Sequence, residues 1–283
     1  MRNCDKNRII CMRQRLGQHF LRNHAVLKRT AEILDIQRGD TVIEIGPGHG
    51  ELTMELLGHG ANKLILLERD PALAAGLQKK FLINKNIEIR VGDALNYLPR
   101  FFYKHQTRSV KLCGNIPYYI SGKLFRLLSE SKYPPIKTAL IIQKEVAERL
   151  TSSPPKMNLL SAITQEWARP GIVAAVGRNS FSPPPQVDSA LILLEALNEK
   201  EARNDFWRYQ KTAKMLFAQP RKTILNNLRV ALPLSRIEAA SLLEKIDVKP
   251  QDRPQSLSIS DIKNITAAIS KNCAPYFEKN KRK

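Results

Sequence analysis

Two kinds of apolar spacing divide this chain. From about residue 25 to 145, short apolar runs alternate with stretches whose apolar residues recur at helical spacing. TVIEIG (41–46), KLILLE (63–68), IEIRVGD (87–93), VKLCGN (110–115) and KTALIIQ (137–143) predict strands. AVLKRTAEILDI (25–36), Glu51 to Leu57, PALAAGLQKKF (71–81), GKLFRLLSE (122–130) and KEVAERL (144–150) predict helices. Asp70 is placed to cap one helix, with Pro71 in its first turn, and Ser121 to cap another. Strands alternating with helices predict an α/β domain with a parallel sheet wrapped on both faces, and ligands beyond the carboxyl ends of its strands. GIVAAVG (171–177) and VDSALILLE (187–195), on either side of SFSPPPQ, read as two last strands of that sheet. Past Glu195 the pattern changes. NEKEARNDF reads as a charged linker, and FWRYQKTAKMLFA, RKTILNNLRVAL, SRIEAASLLEKI and SDIKNITAAIS as helices. The expected organisation is a basic N-terminal segment (1–24), an α/β domain (25–198) and a small all-helical domain (199–283).

Composition adds a partner. The 283 residues are 43% hydrophobic, enough for a large core and a smaller one. Lys and Arg number 46 against 26 Asp and Glu, a net charge of +20, which points to a polyanion, nucleic acid before membrane. Residues 1–38 carry 9 basic and 3 acidic side chains, residues 196–283 carry 18 and 9, and the 157 between carry 19 and 14. The charge therefore gathers at the two ends, around a nearly neutral central domain. Cys4, Cys11, Cys113 and Cys273 form no C-x-x-C pair, so neither a zinc site nor a disulfide framework is expected, and the setting is read as reducing and cytoplasmic. MRNCDKNRIICMRQR lacks the apolar stretch of a signal peptide, and no apolar run is long enough to span a bilayer. The final EKNKRK reads as a disordered basic tail.

The candidate chemistry lies on the rim of the expected sheet. Gly46-Pro47-Gly48-His49-Gly50 joins a strand to a helix, where glycines let a ligand approach the backbone. The dinucleotide fingerprint needs glycine at the next position, and Glu51 stands there, where a carboxylate would repel a pyrophosphate. A cofactor without phosphate, such as S-adenosylmethionine, fits better. A structural strand–turn–helix junction would look the same, so the two acids that follow matter. Glu68 ends the second strand, where it can accept from both hydroxyls of a ribose. Asp93 ends the third, where it can accept from an adenine amino group; taken singly, either acid reads as a strand end or a helix cap. Glu44, inside the first strand, is placed to bond the loop backbone, and His49 reads as an exposed turn residue. Asn115-Ile116-Pro117-Tyr118 ends the fourth strand on the same rim. Methylating an adenine amine requires acceptors that hold its two N–H groups while the lone pair points at the methyl donor. The Asn115 side-chain oxygen and the Ile116 carbonyl can do this, Pro117 stiffens the loop, and Tyr118 can stack on the base. The bland reading is a rigid turn with two packing tyrosines, and Tyr119 is read that way.

With these motifs in order, the chain resembles the ribosomal RNA adenine dimethyltransferases, closest to the bacterial small-subunit enzyme. GQHFL (17–21), EIGPGHGELT (44–53), NIPYYIS (115–121), QKEVAERL (143–150), FSPPPQVDSAL (181–191), PRKTILNNL (220–228) and RPQSLSISDI (253–262) are similar to that family's signatures. The resemblance implies a Rossmann-like S-adenosyl-L-methionine-dependent methyltransferase domain and a helical domain that docks RNA. It implies dimethylation of two neighbouring adenosines, in a hairpin loop near the 3′ end of 16S rRNA, by a monomer acting on the pre-30S particle without a metal. Cofactor contacts carry over to His19, Leu21, Gly46, Gly48, Glu68, Asp93 and Asn115, and the target base to Asn115, Ile116, Pro117 and Tyr118. His19 departs from the family's frequent asparagine, and Pro220 from its frequent arginine. Arg221 and Lys222, read as opening a basic helix, are the expected phosphate contacts. Pro183–Pro185 read as a stiff loop beside the target pocket, Trp167 and Trp207 as packing, and Cys113 as a core residue. The alternatives are a large-subunit rRNA adenine methyltransferase of the macrolide-resistance type and a non-catalytic ribosome assembly factor. A DNA adenine methyltransferase fits less well, since no further domain for sequence readout is present.

Overall fold

The computed structural model describes residues 19–105, 109–197 and 206–278. Cys4, Cys11, Gly17, Gln18, most of the charged linker and the tail from residue 279 lie outside the described residues. Strand β1 is Phe20–Leu21, β2 Thr41–Ile45, β3 Lys63–Glu68, β4 Ile87–Val91, β5 Val110–Asn115, β6 Lys137–Gln143, β7 Ala168–Val176, β8 Phe181–Ser182 and β9 Ser189–Ala196. Helix α1 is His24–Ile33, α2 Glu51–Gly58, α3 Pro71–Lys80, α4 Ala94–Lys104, α5 Ser121–Glu130, α6 Lys144–Thr151 and α7 Leu159–Trp167. Then follow α8 Phe206–Leu216, α9 Ile224–Ala231, α10 Arg236–Glu244, α11 Ile259–Asn272 and α12 Ala274–Glu278.

The chain divides into two compact units, Met1–Glu148 with Arg169–Ala196, and Arg149–Ala168 with Leu197–Lys283. The first is built on a seven-stranded sheet in the order β4-β3-β2-β5-β6-β9-β7. Strands β4 to β6 run parallel, and β9 closes on β6 in the antiparallel sense. Val42 and Ile43, which point to opposite faces of β2, are both fully buried, so both faces of the sheet are covered. On one face Val42, Leu64 and Cys113 pack with Val26, Leu27 and Leu56 of α1 and α2.

The chain leaves β2 toward β3 on one side and returns to β5 on the other. A crevice therefore opens between the carboxyl ends of β2 and β5, where open α/β sheets bind ligands. Gly114 sits at this junction with φ +154°, and a Cβ there would run into the Ile45 carbonyl oxygen of β2. Beneath, at the amino ends of the strands, Lys111 is buried and pairs with the buried Asp40 at 2.6 Å.

Three local expectations change. Ser121 is the first residue of α5 and caps nothing; a 3₁₀ turn, Tyr118–Ile120, leads into that helix. Helix α4 was not expected, because Pro99 interrupts its pattern; Asp93 caps it by accepting from the Leu95 N–H at 2.9 Å. Helix α7 begins at an Asn158–Ser161 capping box and belongs to the second unit. The second unit takes in residues 149–168 as well as those from Leu197 onward. In that unit Met157 and Ala162 share a core with Leu216, Ile224, Leu243 and Ile265.

Candidate active site

The crevice holds a cavity lined by residues from β1, the glycine turn, the ends of β3 and β5, and the loops that follow them. Its floor is the glycine turn. Gly46 and Gly48 have φ of +65° and +60°, conformations that suit glycine, and a Cβ on Gly48 would stand 2.9 Å from the Phe20 ring. Glu68, buried at the end of β3, accepts from the Gly48 N–H at 3.2 Å and the Asp70 N–H at 2.9 Å. Burial raises its carboxyl pKa, and these backbone bonds oppose the rise. A carboxylate has about four acceptor positions, so acceptor capacity remains for a ligand. Asp93 lines the cavity while its Oδ1 caps α4. Glu44, fully buried, is pushed up to about 8 by desolvation; it accepts from the Thr53 hydroxyl at 2.6 Å rather than from the loop backbone.

Opposite the glycine turn stands the Asn115 loop. The Asn115 Nδ2 donates to the His19 carbonyl at 2.6 Å. A carbonyl accepts only, so this bond identifies the nitrogen end of the amide and leaves Oδ1 as its acceptor end. The Ile116 N–H is tied to the Ile141 carbonyl at 3.0 Å, and among the described residues the Ile116 carbonyl receives no donor. Two acceptors of one loop are thus available at the cavity rim. Tyr118 is half-buried, its hydroxyl 2.9 Å from the buried Ser189 hydroxyl and its ring stacked on His19 with centroids 6.1 Å apart. Burial raises the Tyr118 pKa, so the phenol stays neutral and its ring remains a stacking face.

His19 holds several parts together. Its carbonyl takes Asn115, its ring faces Tyr118, and its Nδ1 lies 2.8 Å from the Pro183 carbonyl, which places the proton on Nδ1. Behind it β1 pairs with β8, Phe20 opposite Ser182 and Leu21 opposite Phe181.

The cavity therefore gathers His19, Gly46, Gly48, Glu68, Asp93, Asn115, Ile116, Pro117 and Tyr118. Leu21 is not among its walls: its side chain is buried in the core, and neighbouring Phe20 lines the cavity instead. Tyr119 is no packing residue; it is exposed at the rim and accepts from Arg69 at 3.1 Å. Arg69 carries no sequence signal, and Phe20 and Ser189, though inside GQHFL and FSPPPQVDSAL, take their place only from their neighbours across the fold. In the second unit Arg221 and Lys222 are exposed in the turn before α9, whose cap is Thr223, and so lie outside the basic helix expected there. Trp167 is buried, and Trp207, partly exposed, packs edge-on against Phe277 with ring centroids 5.5 Å apart. Among the described residues no cluster of His, Cys, Asp or Glu could hold a metal ion, and no helix is long and apolar enough to cross a membrane.

The model of the family described as "Ribosomal RNA adenine dimethylase" matches residues 10–267. Proteins named "Ribosomal RNA small subunit methyltransferase A" are similar over most of both chains. That of Dehalococcoides mccartyi is 33% identical over 92% of this chain and 89% of its own. That of Synechococcus sp. is 36% identical over 87% and 90%. Among solved structures, a dimethyladenosine transferase from Plasmodium falciparum superposes with a TM-score of 0.77 at 26% identity, over 89% of this chain and 98% of that one. The 23S rRNA methyltransferase ErmE shares the fold, with a TM-score of 0.70 at 24% identity over 89% and 99%.

Proposed function

The chain belongs to the ribosomal RNA adenine dimethylase family, and from that premise we propose that it dimethylates two adjacent adenosines in the 3′-terminal hairpin loop of 16S rRNA, with S-adenosylmethionine as donor. The observation that carries this reading is the Asn115 amide, anchored through nitrogen to the His19 carbonyl so that its oxygen remains an acceptor, in a loop whose Ile116 also lines the cavity. An enzyme that binds an exocyclic adenine amine needs two acceptors there, one for each N–H.

The residues present suit such a donor. Glu68 keeps acceptor capacity for ribose hydroxyls, Asp93 lines the cavity with a second carboxyl group, and positive-φ glycines bring the backbone close. Glu51 in the first turn of α2 disfavours a phosphate-bearing alternative. When bound, the cofactor supplies a methyl on a cationic sulfur, whose departure as a neutral thioether makes displacement favourable. The chain's own part is positioning. Asn115 Oδ1 and the Ile116 carbonyl hold the amine so that its lone pair faces the methyl, and Tyr118 stacks on the extruded base. His19 and Ser189 fix Tyr118, while Pro117, which has no N–H, cannot compete for the carbonyls. No strong base is required. Arg221 and Lys222, both exposed, are proposed as phosphate contacts, and the protein as a cytoplasmic monomer working on the immature small subunit.

Mass spectrometry of small-subunit rRNA after incubation with the protein and labelled S-adenosylmethionine tests this directly. Two labelled methyls on each of two neighbouring adenosines are expected. Label confined to large-subunit RNA, or none at all, would overturn the assignment.

A further inference from the structure

Away from the cavity, the first unit carries an open groove walled by α4, α5 and the turn that follows α5. Tyr103 comes from one wall, Lys123 and Arg126 from the other, and Lys132 and Tyr133 from the far end. The charge here is one-sided. Residues 94–104 and 121–133 carry five cations, Arg100, Lys104, Lys123, Arg126 and Lys132, against one acid, Glu130. Glu130 bonds Arg126 at 2.8 Å and offsets that cation alone; among the described residues no carboxylate reaches Lys123 or Lys132. An evenly solvated surface does not explain the bias, because α2 of the same unit carries Glu51 and Glu55 and no cation. Aromatic faces stand among the charges. Tyr103 is 79% exposed, and the Lys132 ammonium lies 5.3 Å from the centroid of the Tyr133 ring.

We propose that this groove is a second RNA-binding surface, which holds the phosphate backbone of the substrate strand as it leaves the target loop; the inference rests on the function proposed above. Cations spaced along a concave track meet phosphates, and an exposed aromatic ring among them gives an unstacked base a platform. One wall of the groove, α5, leads back to the chemistry. Helix α5 begins three residues after Tyr118, and Lys123 lies in its first turn. At a rise of ~1.5 Å per residue the ten-residue helix extends about 15 Å from the loop, roughly four stacked nucleotides at ~3.4 Å each.

The test is the salt dependence of binding to naked small-subunit rRNA, measured by filter binding for wild type, Lys123→Gln/Lys132→Gln and the control Lys79→Gln/Lys271→Gln. Lys79 and Lys271 are exposed in α3 and α11 and are not among the residues that line the groove. Losing two phosphate contacts flattens the slope of log affinity against log salt by about 1.4–1.8 and weakens binding about ten-fold at ~0.15 M salt. The groove variant shows both effects and the control neither. Equal slopes in all three proteins, or an equal loss in the control, would overturn the groove. So would a variant that binds naked RNA normally and loses only the assembled particle, since that result assigns the groove to a ribosomal protein. A wild-type protein that transfers no methyl, with the slope difference intact, would remove the enzymatic reading and leave the groove standing.

Discussion

An amide side chain has two N–H donors on one end and a single oxygen on the other, and at Asn115 the His19 carbonyl takes the nitrogen end and leaves the oxygen as acceptor. Asn115→Ala removes both the anchor and the acceptor. Methyl incorporation is expected to fall at least about 100-fold, the usual scale for losing one positioned group at a reacting centre, while RNA affinity measured by filter binding stays near wild type. Incorporation at the normal rate would exclude Asn115 from the chemistry. Glu44 makes a different statement, about stability. Its folded pKa, about 8, lies above its ordinary value of 4.5 because burial disfavours the charged form. Between those values the folded state keeps a proton that the unfolded state has released. Its contribution is therefore complete below the unfolded value, declines by about 1.4 kcal/mol per pH unit, and is gone above the folded value. Glu44→Gln preserves the oxygen that accepts from Thr53 and removes this dependence. The urea midpoint of wild type should drop more than that of the variant between about pH 6 and pH 8; parallel curves would contradict the assignment.

Elements meet where single residues permit it. At Gly114 strand β5 passes so close to β2 that no side chain fits, and its φ of +154° is one that other residues rarely adopt. Gly114→Ala should cost about 3 kcal/mol or more, because both partners in the clash are backbone and cannot swing aside. Thermal unfolding reads this, and an unchanged midpoint would mean that the strands separate freely. At the other end of β5 the Lys111 ammonium is buried on Asp40 and also donates to the Asp35 carbonyl. Lys111→Met leaves Asp40 buried without its cation, a change that typically costs about 3–5 kcal/mol. Adding Asp40→Leu should recover part of that loss, and denaturant titration of both variants measures it. Local patterning located these strands because each buries a short apolar run and ends in turn residues. It missed α4, where Pro99 interrupts the pattern; the residues of that helix are nonetheless buried at Leu98, Phe101 and Phe102.

In the whole molecule, residues 149–168 lie between two segments of the first unit along the chain and yet share the core of the second. A chain ended at Ala196 would leave Met157 and Ala162 without the core they share with Ala213, Leu216 and Ile265. Such a protein is expected to bind a dye that reports exposed apolar surface and to aggregate at concentrations where the full chain does not. A well-behaved monomer would show that the segment needs no partners. Net charge is also deceptive at this scale. The central residues 39–195 carry 19 basic and 14 acidic side chains and look nearly neutral in sequence, while the fold gathers three of the basic ones, Lys123, Arg126 and Lys132, around one groove.

Sequence alone determined the strands and most helices, the glycine turn, Glu68 and Asp93 at the ends of their strands, and the Asn115 loop on the same rim. These features are local: hydrophobic periodicity records burial, and turn and cap residues mark where it stops. Tertiary structure decided what lies across from what. The ring of His19 reaches the Pro183 carbonyl, 164 residues away in the chain, while its own carbonyl takes the Asn115 amide. The same holds for Phe20 under Gly48, Ser189 beneath Tyr118, and Leu21 turned into the core. One-dimensional spacing cannot report these contacts, because the topology of the sheet, and not distance along the chain, brings such residues together.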